Sequence, residues 1–134
     1  YSNSGKFNLK ELQFASSLAG VVILHTGTTL LHALGYYLTN VHKVQHGLAN
    51  TVLMNQYIKM CEDGGVEKIS NLKIIEKDVG FSLKDSIKNL FGNDIEKIIS
   101  SVDIFKMVDY ALTKPNTTST PFAVTRDYIL KHLV

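Results

Sequence analysis

Histidine is the residue type in this sequence best suited to chemistry, because imidazole is the commonest metal ligand and a common proton shuttle near neutral pH. Of five histidines, four (His25, His32, His42 and His46) fall within 22 consecutive residues. A catalytic metal site needs three or four donors converging on one ion with a position left open for substrate. The sequence holds no HExxH, no tight His/Asp triplet and no cysteine pair that would complete such a set. A histidine on a helix face is more often a hydrogen-bonded core or surface residue than a ligand, so the residues alone leave both readings open. His42 and His46 are spaced by four, but the polar stretch around them and Gly47 argue against one regular helical face. His132 reads as a charge partner for the end of the last helix.

The remaining polar residues offer less. Thr28 and Thr29 could meet a substrate hydroxyl, but capping or packing explains them as well, and Asp63, Asp78 and Asp85 suit solvated faces or caps. Ser16 and Ser17 have no acid or base at useful spacing, which argues against a nucleophilic serine. Neither GxGxxG nor GxxxxGK[ST] occurs, so no phosphate cradle for a nucleotide is visible.

Helices must position these groups. Asn8 with Glu11 is a capping pair that starts a first helix, in which Leu12, Ala15, Leu18, Ala19 and Val22 form a broad stripe expected to be buried. Gly27 marks a break or kink, after which His32 and Tyr36 share a face, four residues apart. A loop over Thr39 to Gln45 delivers His46 to the mouth of the next helix, with Gly47 permitting a tight approach. Leu48, Val52, Tyr57 and Met60 define a buried face that ends at Gly64-Gly65. Short amphipathic helices follow: Val66 to Lys77, one capped by Ser82 with Asp85 and stopping near Gly92, Asp94 to Ser100, and Asp103 to Leu112. The loop Lys114 to Ala123 holds both prolines, and Thr125 caps a final helix ending near Val134. No period-two pattern flanked by hairpin turns appears, so the expected class is all-α, a compact multi-helix fold.

Composition bounds the partners. With 134 residues, 45% hydrophobic and 19% charged, the chain suits a single globular domain over 1–134. A formal charge of +2 and scattered lysines predict no nucleic-acid binding. The longest apolar run, Leu18 to Leu24, is interrupted by Gly20 and falls far short of a bilayer span, so no membrane partner is expected. Cys61 is the only cysteine, which excludes an internal disulfide and suits a reducing, cytoplasmic setting. The polar opening, YSNSGKFN, begins without a methionine and reads as the edge of a trimmed chain.

The stretch GTTLLHALGYYLTNVHKVQHGLANTVLM carries a recognisable pattern: His32-Ala33-Leu34, Leu38, His46-Gly47 and Ala49-Asn50. It resembles the C-terminal helical domain of iron-containing alcohol dehydrogenases, within the dehydroquinate synthase-like architecture. ASSLAGVVILHTG before it and TPFAVTRDYIL near the end are similar to the same family, while the residues between about Cys61 and Thr118 carry less of the likeness. The family's last two histidine ligands are separated by 14 positions, as His32 and His46 are.

The resemblance implies that His32 and His46 are metal ligands, with Fe2+ or Zn2+ as the ion. It also implies a full-length enzyme that interconverts a small alcohol and an aldehyde or ketone with NAD or NADP, the metal acting as a Lewis acid. The cofactor would be bound by an N-terminal nucleotide-binding domain, with the chemistry in the cleft between the two parts and a homo-oligomer left open. Tyr36 stands where many members carry a second histidine discussed as a proton-transfer group. That makes Tyr36 the candidate catalytic residue and leaves the relay itself unassigned. Tyr37 stands where proline is usual, which loosens the turn. The family's other two ligands, an Asp and a His spaced by four, lie farther upstream than the 31 residues preceding His32 here. Two imidazoles alone are half a coordination shell, so this chain by itself is expected to bind metal weakly and to transfer no hydride. A helical interaction domain with incidental histidines, or a homologue that keeps the fold without the chemistry, are the alternatives.

Overall fold

The computed structural model describes residues 8–134, and the polar opening over 1–7 lies outside it. Seven α-helices and one 3-10 turn occur among the described residues, with no strand, as the sequence predicts. They are α1 (Leu9–Thr26), α2 (Leu30–Val41), α3 (His46–Asp63), α4 (Ile69–Val79), α5 (Leu83–Ser100), α6 (Ile104–Leu112), the 3-10 turn Pro115–Ser119, and α7 (Arg126–Leu133).

The core is built around α2. Leu30, Leu31, Ala33, Leu34, Tyr37 and Leu38 are all buried, against Val52, Leu53 and Met60 of α3, Met107, Val108 and Ala111 of α6, and Ile129 of α7. Each fully buried Leu, Ile or Met stabilises the fold by about 1.5–3 kcal/mol relative to exposure. This cluster is therefore what fixes α2 against α3. Local signals set the ends: Asn8, Ser82, Asp103 and Thr125 each cap a helix by accepting a backbone N–H. The closing loop also pins the start of α2, where Thr120 Oγ1 accepts from Leu30 N at 2.9 Å and Asn116 Nδ2 donates to Thr28 Oγ1.

Four expectations are corrected. First, the stripe Leu12, Ala15, Leu18, Ala19, Val22 is exposed, as is the whole of α1. Gly27, in the left-handed region at φ 69°, closes α1 with its N–H on Ile23 O, and α2 departs at 111°. Periodicity reports an apolar face but not what covers it, and α1 projects away from the bundle. No single described helix is long and apolar enough to cross a membrane. Second, α2 runs on to Val41, closed by His42 N on Leu38 O, with Thr39 turned back onto Gly35 O inside the helix, so the loop is only His42 to Gln45. Third, α5 passes straight through Gly92, merging two expected helices. A helical glycine costs about 1 kcal/mol relative to alanine, too little to stop a helix that packs on both sides of it. Fourth, Gly47 has open space where a Cβ would point, and the close approach occurs at Gly35 instead.

Candidate metal centre

His32 sits in the first turn of α2 and His46 is the first residue of α3. The connection between those helices turns tightly on Leu38 O, which accepts from both His42 N and Val44 N at 3.1 Å, with Lys43 in the left-handed region at φ 58°. That turn lays α3 back along α2 and places the His46 ring beside His32. His32 Nδ1 and His46 Nε2 are 3.2 Å apart. Tyr36, one turn after His32, stacks on His46 with ring centroids 5.4 Å apart and meets His32 edge-on at 6.1 Å.

The surroundings set which nitrogen carries a lone pair. Thr39 Oγ1 gives its proton to Gly35 O at 3.0 Å, so in its longer 3.4 Å contact with His46 Nδ1 it accepts. His46 thus holds its proton on Nδ1 and turns a lone pair on Nε2 toward His32. An orienting hydrogen bond on the far ring nitrogen is the usual support of a ligating histidine. Burial, with the His46 ring as a second cause, lowers the His32 pKa below its ordinary value and so favours the neutral ring that a metal requires. Without an ion, His32 Nδ1–H can donate to His46 Nε2.

A third side chain, Asn50, completes the cluster. Lying one turn after His46 on α3, it places Nδ2 3.3 Å from His46 Nε2 and 3.5 Å from His32 Nδ1. Its Oδ1 is buried without a hydrogen-bond partner, against the bare Cα of Gly35. A Cβ on Gly35 would overlap that oxygen and stand 3.2 Å from Asn50 Cγ. The sequence reading used Asn50 only as part of a motif, although the four-residue step from His46 to Asn50 was a sufficient signal that both point one way.

The other histidines go elsewhere. His25 Nδ1 contacts Val21 O on exposed α1, and His42 packs on the Tyr37 ring. His132, with its side chain 1% exposed, bridges Tyr128 O at 2.8 Å and Asp63 Oδ2 at 2.9 Å. It therefore fastens α7 to the end of α3 as well as facing the last turn of its own helix. Thr28 and Thr29 serve structure: Thr28 accepts from Asn116, and Thr29 O accepts from His32 N.

The chain matches the family described as Fe-containing alcohol dehydrogenase family, C-terminal, over residues 6–133. It belongs to that family. The match takes in the middle of the chain, where the resemblance by motif is thin. No curated protein and no solved structure matches the chain.

Membership implies a metal, and the residues present fit one in part. Nitrogens 3.2 Å apart can both reach a single ion at about 2.0–2.1 Å. Among the described residues no group of three or more His, Cys, Asp or Glu converges, and His32 with His46 is the pair from those types whose ring nitrogens meet.

Proposed function

We propose that this chain is the helical, metal-binding part of an NAD(P)-linked alcohol dehydrogenase, with His32 and His46 as two ligands of a divalent ion, Fe2+ or Zn2+. The observation that carries this reading is the 3.2 Å approach of His32 Nδ1 to His46 Nε2 from two different helices in a chain of this family. When bound, the ion would polarise the oxygen of a small alcohol or aldehyde. An N-terminal nucleotide-binding domain would supply NAD or NADP, and α2 and α3 would form one wall of the cleft.

The chain's own residues have distinct tasks in this scheme. Thr39 holds the His46 tautomer, and the stacked Tyr36 ring fixes the plane of the His46 imidazole. Tyr36 is the catalytic candidate on this chain, and its phenol is the group available beside both rings for moving a proton. The single buried cysteine, Cys61, agrees with a cytoplasmic setting.

The test is His32→Ala and His46→Ala in the full-length protein, followed by metal content and alcohol oxidation. Loss of both supports the reading, and metal content unchanged in either variant overturns it. A second reading, a helical interaction module, draws on exposed apolar α1, where Leu24 is 82% exposed. It predicts that both histidine variants leave metal content and activity unaltered.

A further inference from the structure

The geometry points to Asn50 as a third metal donor from this chain: its carboxamide oxygen would join His32 Nδ1 and His46 Nε2 on one face of the ion. This rests on the metal reading of the two histidines and extends it to a residue type outside the usual ligand set.

The three atoms His32 Nδ1, His46 Nε2 and Asn50 Nδ2 form a nearly equilateral triangle with sides of 3.2, 3.3 and 3.5 Å. The point equidistant from its corners lies about 1.9 Å from each, close to the roughly 2.0–2.2 Å reach of nitrogen and oxygen donors to a divalent ion. In the ion-free arrangement the amide nitrogen occupies the third corner and donates toward the His46 Nε2 lone pair. An ion takes that lone pair, with the His32 proton displaced from Nδ1, and an N–H2 group cannot then remain aimed at a cation. Turning the amide about its last torsion exchanges the two atoms: Oδ1 moves to the corner, and Nδ2 moves to the place Oδ1 now holds. Amide oxygen is a competent ligand for hard and borderline divalent ions.

Two details make that turn feasible. Oδ1 forfeits no hydrogen bond on leaving, since it is buried without a partner, and the cost of burying Nδ2 in its place is set against the bond the oxygen makes to the ion. The place Oδ1 holds exists because residue 35 is glycine, and any Cβ there would overlap the atom that occupies it. Asn50 is also fixed at its root, one helical turn from His46 on the same face of α3. The opposite side of the triangle is left for ligands from outside α2 and α3.

The experiment is a titration of the metal-stripped full-length protein with Co2+ alone, read by visible absorption, comparing wild type, His46→Ala, Asn50→Ala and Asn50→Asp, with thermal melts confirming that each variant is folded. Asn50→Ala should weaken Co2+ binding by about tenfold or more and alter the absorption bands, because the ligand set changes. Asn50→Asp, which keeps the shape and presents a carboxylate oxygen, should bind at least as tightly as wild type with bands of similar position. If Asn50→Ala fails to fold, the Asn50→Asp comparison decides. The inference is overturned if His46→Ala weakens binding while Asn50→Ala leaves affinity or bands unchanged, or if Asn50→Asp binds more weakly than wild type. Should His46→Ala also have no effect, the metal reading itself falls and takes this inference with it.

Discussion

The close approach of Gly35 to Asn50 can be probed by stability as well as by metal. Replacing Gly35 with alanine adds a methyl group that would overlap Asn50 Oδ1 and crowd Asn50 Cγ at 3.2 Å. Forcing extra volume into a packed contact costs about 1–3 kcal/mol. The same change in a helix interior gains about 1 kcal/mol, because glycine has more backbone freedom to lose than alanine. Gly35→Ala should therefore be destabilising by about 0–2 kcal/mol net in the wild-type background. With Asn50→Ala already present, the nearest remaining atom of residue 50 is its backbone nitrogen at 3.7 Å, an ordinary contact. There the glycine replacement should stabilise by about 1 kcal/mol. A double-mutant cycle measured by urea unfolding should return a coupling of about 1–3 kcal/mol. The reasoning is refuted if Gly35→Ala has the same effect, in sign and size, in both backgrounds.

Other expectations follow from single contacts. Tyr128→Phe removes the hydroxyl that donates to Met60 O at 2.6 Å; that carbonyl keeps Gly64 N as a donor, so denaturant unfolding should show a loss of about 0.5–1.5 kcal/mol. Leu34→Ala empties a fully packed position on α2 and should cost about 2–5 kcal/mol in the same assay. The hydrogen bond from His132, followed by nearby positive charge, holds the Asp63 carboxyl below its ordinary value. A carboxyl depressed in the folded state contributes stability that is present above its unfolded pKa and lost as pH falls through the folded one. Acid titration of stability should therefore show a loss below the usual carboxylate range that is smaller in Asp63→Asn. Leu24→Lys on α1, by contrast, should leave the unfolding midpoint within about 0.5 kcal/mol of wild type, because nothing in the described structure packs on that side chain.

What could be read along the chain depended on how local the cause was. Asn8, Ser82, Asp103 and Thr125 were legible as helix starts because a cap is a contact within three residues. Gly64-Gly65 was legible as a stop for the same reason. Gly92 was not, since only packing along α5 decides whether a glycine ends a helix or is carried through it. The Leu12 to Val22 stripe misled because burial belongs to the neighbour as much as to the helix. At the site, the pairing of His32 with His46 came from a family spacing, and its geometry, the Thr39 contact and the stacking of Tyr36, needed the tight turn at Lys43. Gly47 was assigned the close approach that Gly35 makes: both are glycines near a histidine, and only the crossing of α2 over α3 distinguishes them.

The bend at Gly27 has a mechanical consequence. With 18 residues, α1 is about 27 Å long, so it acts as a lever whose fulcrum lies five residues before His32. A swing of about 10° would carry its far end by about 5 Å. The fulcrum itself is clamped, by Thr120 on Leu30 and Asn116 on Thr28, to the segment that closes the fold. A force on α1 would thus meet the segment from Asn116 to Thr120, through its contacts to Thr28 and Leu30, before it reaches the end of α2 that carries His32.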